Sequence, residues 1–275
     1  METRLGDLFT LTGEVIVVTG GVGLLGREFS RILAQAGAKV VVLDVEADPD
    51  AVRNSIGELA DNENAMFLSC DVTSRASVEQ ALQEITARWG VPDGLINNAA
   101  LDAPPNASVV ENGPFETYPE SSWDKVMDVN VKGVFLASQV FGAKMAELGR
   151  GSIVNINSIY GLVSPDQRVY EYRRKQGHNF FKPVSYSVSK SALLNLTRYL
   201  ATYWGERNVR VNSLTFGGVY NHQDDEFVRH YSARVPLGRM ARADEYNGAL
   251  IFLLSEASSY MTGANLVIDG GWTAW

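Results

Sequence analysis

Seven short apolar runs punctuate the chain: EVIVVT (14–19), KVVVLD (39–44), AMFLSC (65–70), DGLIN (93–97), SIVNIN (152–157), VRVNSL (209–214) and NLVID (265–269). They are mostly continuous in Val, Ile and Leu and do not alternate, which is how strands covered on both faces read. Between them apolar positions fall at helical spacing over about 23–37, 48–60, 74–89, 120–148, 185–204 and 242–255. Gly37, Gly90, Gly149 and Gly205 close several of these segments. Strict alternation of strand and helix predicts an α/β, doubly wound fold. Its sheet is parallel and seven-stranded, with helices on both faces and right-handed crossovers. No linker, low-complexity tract or repeat divides the chain, so 1–275 reads as one domain. Two stretches exceed ordinary loop length, 101–119 and 161–184, and long loops in a compact fold usually carry function or disorder.

Composition narrows the picture mainly by exclusion. The 275 residues are 45% hydrophobic, enough for one large core or two small ones. A net charge of −8 argues against a general nucleic-acid binder, which wants a basic face. No run approaches the roughly 18 apolar residues of a membrane span. The opening METRLGDLFTLTGE lacks the basic-then-apolar order of a secretory signal. The single cysteine, Cys70, has no partner for an internal disulfide and reads as plain core. A cytoplasmic location is the expectation these negatives leave.

Chemistry enters at TGGVGLLG (19–26), between the first apolar run and the first helical segment. Gly21, Gly23 and Gly26 are spaced G-x-G-x-x-G, and Asp44 ends the next strand, eighteen residues past Gly26. Glycine lets backbone approach a pyrophosphate, and a helix N-terminus offers unpaired amides and partial positive charge. A carboxylate at the end of the second strand accepts from the adenine ribose hydroxyls. Asp44 also repels a 2′-phosphate, and no Lys or Arg lies between Thr19 and Leu25, so NAD is expected over NADP. Gly20, Gly23, Leu24, Leu25 and Gly26 are the expected phosphate-side contacts.

Over nearly its whole length the chain resembles the short-chain dehydrogenase/reductase family. CDV (70–72) resembles its adenine clamp, which implies Asp71 and Val72. NNAA (97–100) resembles its NNAG segment, which implies cofactor contacts from Asn98, Ala99 and Ala100. SYMTGANLVIDGGW (259–272) resembles its final strand and tail. NSLTFGGV (212–219) stands where the family turns beside the nicotinamide, implying Gly217 and Val219, with Phe216 replacing the usual proline. The opening octet departs from the T-G-x-x-x-G-x-G of single-domain members. It matches the T-G-x-x-G-x-x-G of a larger, sugar-nucleotide-using branch, implying a changed path around the pyrophosphate with binding retained.

YSVSK (186–190) puts Tyr186 and Lys190 four residues apart, on one helical face. A phenol of pKa about 10 is a poor base near neutrality. A neighbouring ammonium and a positive nicotinamide favour its phenolate, and lowering the pKa by roughly three units needs about 4 kcal/mol. Tyr186 could then take a proton from an alcohol or return one to a ketone. The resemblance adds Ser158, which would hydrogen-bond the reacting oxygen. It also adds Asn130 in MDVNVKG, which would hold a helix irregular and support a proton path to Lys190. The expected catalytic set is therefore Asn130, Ser158, Tyr186 and Lys190, with the last two also touching cofactor.

Ser158 and Tyr186 are 28 residues apart, about twice the family's usual separation. The extra residues are aromatic and cationic, and the rim they form is expected to read an anionic or polyhydroxylated substrate. Tyr160, Arg168, Tyr172, Arg173 and His178 are the expected substrate contacts. An insertion here, after NSIYG, is also similar to dehydrogenases of bacterial surface-glycan pathways, the flagellin modification protein A group in particular. The segment 220–239 corresponds to the family's substrate lid. Neither His222 nor His230 belongs to a metal-ligand set, and no metal is expected. The resemblance implies a homodimer or homotetramer, with Trp272 and Trp275 at a subunit interface. The leading expectation is an NAD-dependent oxidoreductase interconverting a secondary alcohol and a ketone on a sugar-like or anionic small molecule. The alternatives are a reductase of 3-oxoacyl or other small hydrophobic ketones, and a catalytically silent NAD-binding scaffold or sensor.

Overall fold

The structure, a computed structural model, describes residues 5–102 and 110–275. Part of the long 101–119 stretch therefore lies outside the described residues. The seven strands are β1 (Val15–Thr19), β2 (Lys39–Asp44), β3 (Ala65–Ser69), β4 (Gly94–Asn97), β5 (Gly151–Ser158), β6 (Val209–Phe216) and β7 (Asn265–Ile268). They form one all-parallel sheet in the order β3-β2-β1-β4-β5-β6-β7. The sheet is a Rossmann-like frame whose strand order reverses between β1 and β4, so the crevice at their carboxyl ends is the natural ligand site. β5 and β6 run past the predicted ends, to a last rung pairing Ser158 with Phe216. That rung carries Ser158 to the crevice.

The helices are α1 (Leu5–Phe9), α2 (Leu24–Gln35), α3 (Pro49–Ile56), α4 (Arg75–Trp89), α5 (Glu120–Met127), α6 (Val134–Leu148), α7 (Glu171–Lys175), α8 (Val184–Trp204), α9 (Asp225–Ser232) and α10 (Asn247–Leu254). Local chemistry sets several starts. The Ser74 side chain accepts from Ser77 N ahead of α4, and Asp48 caps α3, whose first residue is Pro49. α2 buries Gly26, Phe29, Ser30 and Leu33, one face at helical spacing. Burying Phe29 and Leu33 contributes about 1.5–3 kcal/mol each.

Three boundaries depart from the sequence pattern. The segment expected as one helix over 120–148 is α5 and α6 joined by a π-helical turn, Asp128–Gly133. Residues 48–60 split where Gly57 takes φ +56, and 3-10 turn follows. Residues 242–255 begin as 3-10 turn before α10. α1, α7 and α9 have no counterpart in the predicted pattern, being too short to establish a period.

Apolar clusters cover both sheet faces. α2, α3 and α10 close one through Phe29, Leu33, Val52 and Leu250, while α4, α6 and α8 close the other through Ile85, Phe141 and Trp204. Cys70 is buried in the second cluster. A third cluster roofs the crevice. It joins Tyr160, Val169 and Tyr170 to Tyr231 from α9, Met240 and Trp272. Trp272 stacks on Tyr231 with ring centroids 4.4 Å apart. Its expected place at a subunit interface is thus corrected: it is buried within its own chain, whereas Trp275 is 82% exposed. No helix among the described residues is long and apolar enough to cross a membrane.

Candidate active site

Ser158, Tyr186 and Lys190 line one cavity of about 290 Å³ at the carboxyl ends of the strands. Tyr186 lies in the first turn of α8 and Lys190 one turn later. The Ser158 hydroxyl accepts from Tyr160 N at 3.2 Å and acts on the Tyr186 phenol across the same cavity. Lys190 Nζ is buried, donates to Ile156 O at 2.9 Å and sits 5.8 Å from the Tyr186 ring centroid. Burial brings its pKa down to about 8. Tyr186 moves the other way. Burial, reinforced by Asp102, holds the phenol above its usual value, while Lys182 and the Ser158 hydroxyl oppose this. The cation that lowers the phenol's pKa is Lys182 rather than the expected Lys190, and desolvation outweighs it in the protein alone.

Asn130 sits in the π-helical turn, fully buried. Its Oδ1 accepts from Leu101 N at 2.7 Å, and its Nδ2 donates to Leu101 O at 2.8 Å and Ser189 Oγ at 3.0 Å. The widened turn lets one amide side chain pair with the backbone after β4 and with α8 next to Lys190. Such π-turns recur at functional sites.

The cofactor expectation meets a matching cradle. Gly20 takes φ +62, and a Cβ there would lie 2.7 Å from Ala99 Cα. A Cβ on Gly26 would meet Gly20 O at 2.1 Å. Gly23 opens α2 without a side-chain cap, so the first-turn amides of Leu24, Leu25 and Gly26 lack a helical acceptor. Asn98 fixes this loop from the neighbouring strand. Its Nδ2 donates to Thr19 O and Gly20 O, both at 3.0 Å, while the Asn98 and Ala99 amides donate to Thr19 Oγ1. Asp44 flanks the loop, with Oδ2 accepting from Val22 N at 3.1 Å and acceptor capacity left over. Asp71 accepts from Thr73 N and Oγ1, and Val72 packs where a Cβ on Gly133 would stand. Leu25, Ala100, Gly217 and Val219 line the catalytic cavity, linking the cradle to Tyr186. These residues fit a dinucleotide with its pyrophosphate at the α2 amides and its ribose at Asp44. Phe216, in place of proline, is held by stacking on Tyr246 at 4.3 Å.

The insertion is a folded cap. Of its expected substrate contacts Tyr160 lines the cavity, and its buried hydroxyl has no hydrogen-bond partner. The other four do not line it. Arg168 is exposed and paired with Asp166, which also binds Arg234. Tyr172 donates to Asp224 Oδ2 at 2.7 Å, and Arg173 binds the same oxygen at 3.0 Å. His178 is exposed on the turn after α7. They hold the cap together and to α9, a use local sequence does not separate from ligand binding. The cavity instead receives Tyr170 and Lys182 from the insertion, with Phe227 and Met240 from the lid side. Lys182 stands four residues before Tyr186, a spacing that could have singled it out. Among the described residues no group of three His, Cys, Asp or Glu could hold a metal ion.

The family model described as enoyl-(acyl carrier protein) reductase matches residues 24–273. The chain is 30% identical over 270 residues to the NAD-dependent glycerol dehydrogenase of Listeria innocua, covering 96% of each. It is 34% identical over 278 residues to the galactitol 2-dehydrogenase of Rhizobium johnstonii, covering 97% of this chain and 98% of that one. Among solved structures it is similar to a gluconate 5-dehydrogenase from Burkholderia cenocepacia in complex with NADP and tartrate. The TM-score is 0.85 and the identity 28%, covering 99% of this chain and 100% of that chain. With this sheet order and a match of that extent, the chain belongs to the short-chain dehydrogenase/reductase family and is an NAD(P)-dependent oxidoreductase.

Proposed function

We propose that this enzyme uses NAD to interconvert a secondary alcohol and a ketone on a small polyhydroxylated or anionic substrate. The observation that carries the proposal is that Ser158, Tyr186 and a buried Lys190 anchored on Ile156 O line one cavity continuous with the glycine cradle. In oxidation the Tyr186 oxygen removes the carbinol proton and Ser158 hydrogen-bonds the same oxygen as it becomes a carbonyl. Lys190 stabilises the phenolate by its positive charge, on the helix that Asn130 braces through Ser189. The bound nicotinamide supplies the hydride acceptor. In reduction Tyr186 returns the proton.

Asp44 beside the loop supports NAD over NADP, since a 2′-phosphate there would face a carboxylate. The relatives' polyol and sugar-acid substrates, together with a cavity of about 290 Å³, support a small polar substrate over a long acyl chain. Phe135, Tyr199 and Tyr203, exposed on α6 and α8, support a homodimer or homotetramer through those helices.

The test is absorbance at 340 nm with NAD or NADP, across polyols and sugars against hydrophobic alcohols of matched length. The expectation is turnover of polyols with NAD. Tyr186→Phe lowers kcat by about 10²–10⁴-fold, with the NAD Kd nearly unchanged. Turnover confined to hydrophobic substrates, or full activity in Tyr186→Phe, would overturn the proposal.

A further inference from the structure

The cap between Ser158 and Tyr186 is built around one lysine. The Lys182 amide donates to Gln167 Oε1 at 2.9 Å and the Gln167 amide returns to Lys182 O at 3.2 Å, so one side chain holds the residue from both sides. Arg174 fixes that clamp, donating to Gln167 O at 2.7 Å and to Phe180 O at 2.9 Å. The Lys182 side chain is only 12% exposed. Its ammonium lies 4.8 Å from the Tyr186 ring centroid and 5.8 Å from that of Tyr160. It pairs with Asp102, whose carboxylate is 60% exposed. An ammonium has three N–H donors, so that pairing leaves two.

Apart from Asp102, which pairs with Lys182 from the exposed side, the charged groups at this cavity are cationic. The cavity lining includes Lys182 and Lys190 and no Asp, Glu or Arg. In a chain of net charge −8, a cavity with two lysines favours an anion. The buried, unpartnered hydroxyl of Tyr160 beside Lys182 is a second, independent polar group in want of a ligand.

We propose that Lys182 is the specificity-determining residue of the site and receives the carboxylate of a small hydroxy acid whose carbinol reaches Tyr186 and Ser158. This rests on the dehydrogenase reading above and narrows its substrate class. Binding the carboxylate displaces Asp102 toward solvent, where that side chain already largely resides. The clamp makes the cost small, because Lys182 is ordered before substrate arrives.

The experiment compares aldonates with alditols of equal chain length: erythronate with erythritol, ribonate with ribitol, and gluconate with sorbitol. Initial rates with NAD are measured for the native enzyme and for Lys182→Gln, Lys182→Arg and Asp102→Asn. The native enzyme is expected to prefer aldonates in kcat/KM. Lys182→Gln lowers the aldonate-to-alditol ratio at least tenfold, mainly through the aldonate KM. Lys182→Arg keeps most of the ratio, and Asp102→Asn lowers the aldonate KM. Oxidation of alditols alone, or an equal loss on both series in Lys182→Gln, overturns this inference and leaves the dehydrogenase reading standing. No NAD-linked oxidation of either series by the native enzyme overturns both. Should Lys182→Gln not fold, Lys182→Arg and Asp102→Asn decide the matter through the same ratio.

Discussion

Tyr186 and Lys190 are pulled by burial in opposite directions. The phenol is held above its usual value and the ammonium is brought down to about 8, so the first proton leaves the pair near pH 8. With the phenol held high, that proton is the one on Lys190, so the ammonium that favours the phenolate is present below about pH 8 and fades above it. Alcohol oxidation should therefore climb with pH and level off above about 8, while ketone reduction, which needs the phenol, favours the acid side. A pH profile of kcat/KM in each direction checks this. Lys190→Arg, whose side chain does not titrate in this range, should let the oxidation limb keep rising above pH 8. A profile flat from pH 6 to 9 would contradict it. The four catalytic candidates were legible because their order and spacing match a known pattern. For Lys182 the one signal was its place four residues before Tyr186, because the insertion otherwise reads locally as a run of cations and rings. Which cation turns inward depends on the Gln167 clamp, a contact across fifteen positions. The two arginines expected to bind substrate, Arg168 and Arg173, pair instead with Asp166 and Asp224.

At the level of elements, strands covered on both faces were readable from unbroken Val, Ile and Leu, and their bounds shift by at most two residues. The π-turn was legible only through the resemblance, which implied that Asn130 holds a helix irregular, since nothing in MDVNVKG by itself breaks a helix. It is the partners of Asn130, Leu101 and Ser189, that reward the extra residue in the turn. The lid helix α9 was hidden, because its two turns rest on tertiary anchors. Asp224 supplies most of them. It caps α9 by accepting from Phe227 N at 2.9 Å and receives Tyr172 and Arg173 from the cap. These contacts hold its carboxyl below the usual range. Asp224→Ala should cost about 1–2 kcal/mol through the lost cap, read as a lower urea midpoint. It should also raise the substrate KM several-fold while the NAD Kd moves little, because the cradle lies on the other side of the crevice. Equal changes in both constants would mean that α9 does not serve the substrate side.

Across the whole molecule the sheet separates two kinds of ionisable group. The carboxyl ends of the strands carry the chemistry, whereas Glu14, Asp93 and Arg150 precede β1, β4 and β5 at the opposite edge. There Asp93 binds Val15 N through Oδ2 at 3.0 Å, accepts Ser152 N on its carbonyl and pairs with Arg150 at 2.9 Å. It thereby ties three strand starts together. Glu14 pays for that arrangement, its pKa raised from 4.5 to about 7 by burial first and by Asp93 second. Folding thus favours protonated Glu14. The associated stability is fully present below about pH 4.5 and is lost as pH rises through 7. Partial exposure screens the effect to on the order of 1 kcal/mol. Glu14→Gln keeps the hydrogen bond to Asp93 and removes the titration. Its Tm should match the native protein near pH 4.5 and exceed it by about 2–4 °C at pH 8. Its kcat should be unaltered, since no residue of the crevice contacts this edge. Thermal melts at the two pH values decide the question: an identical difference at both would mean that Glu14 does not titrate between them.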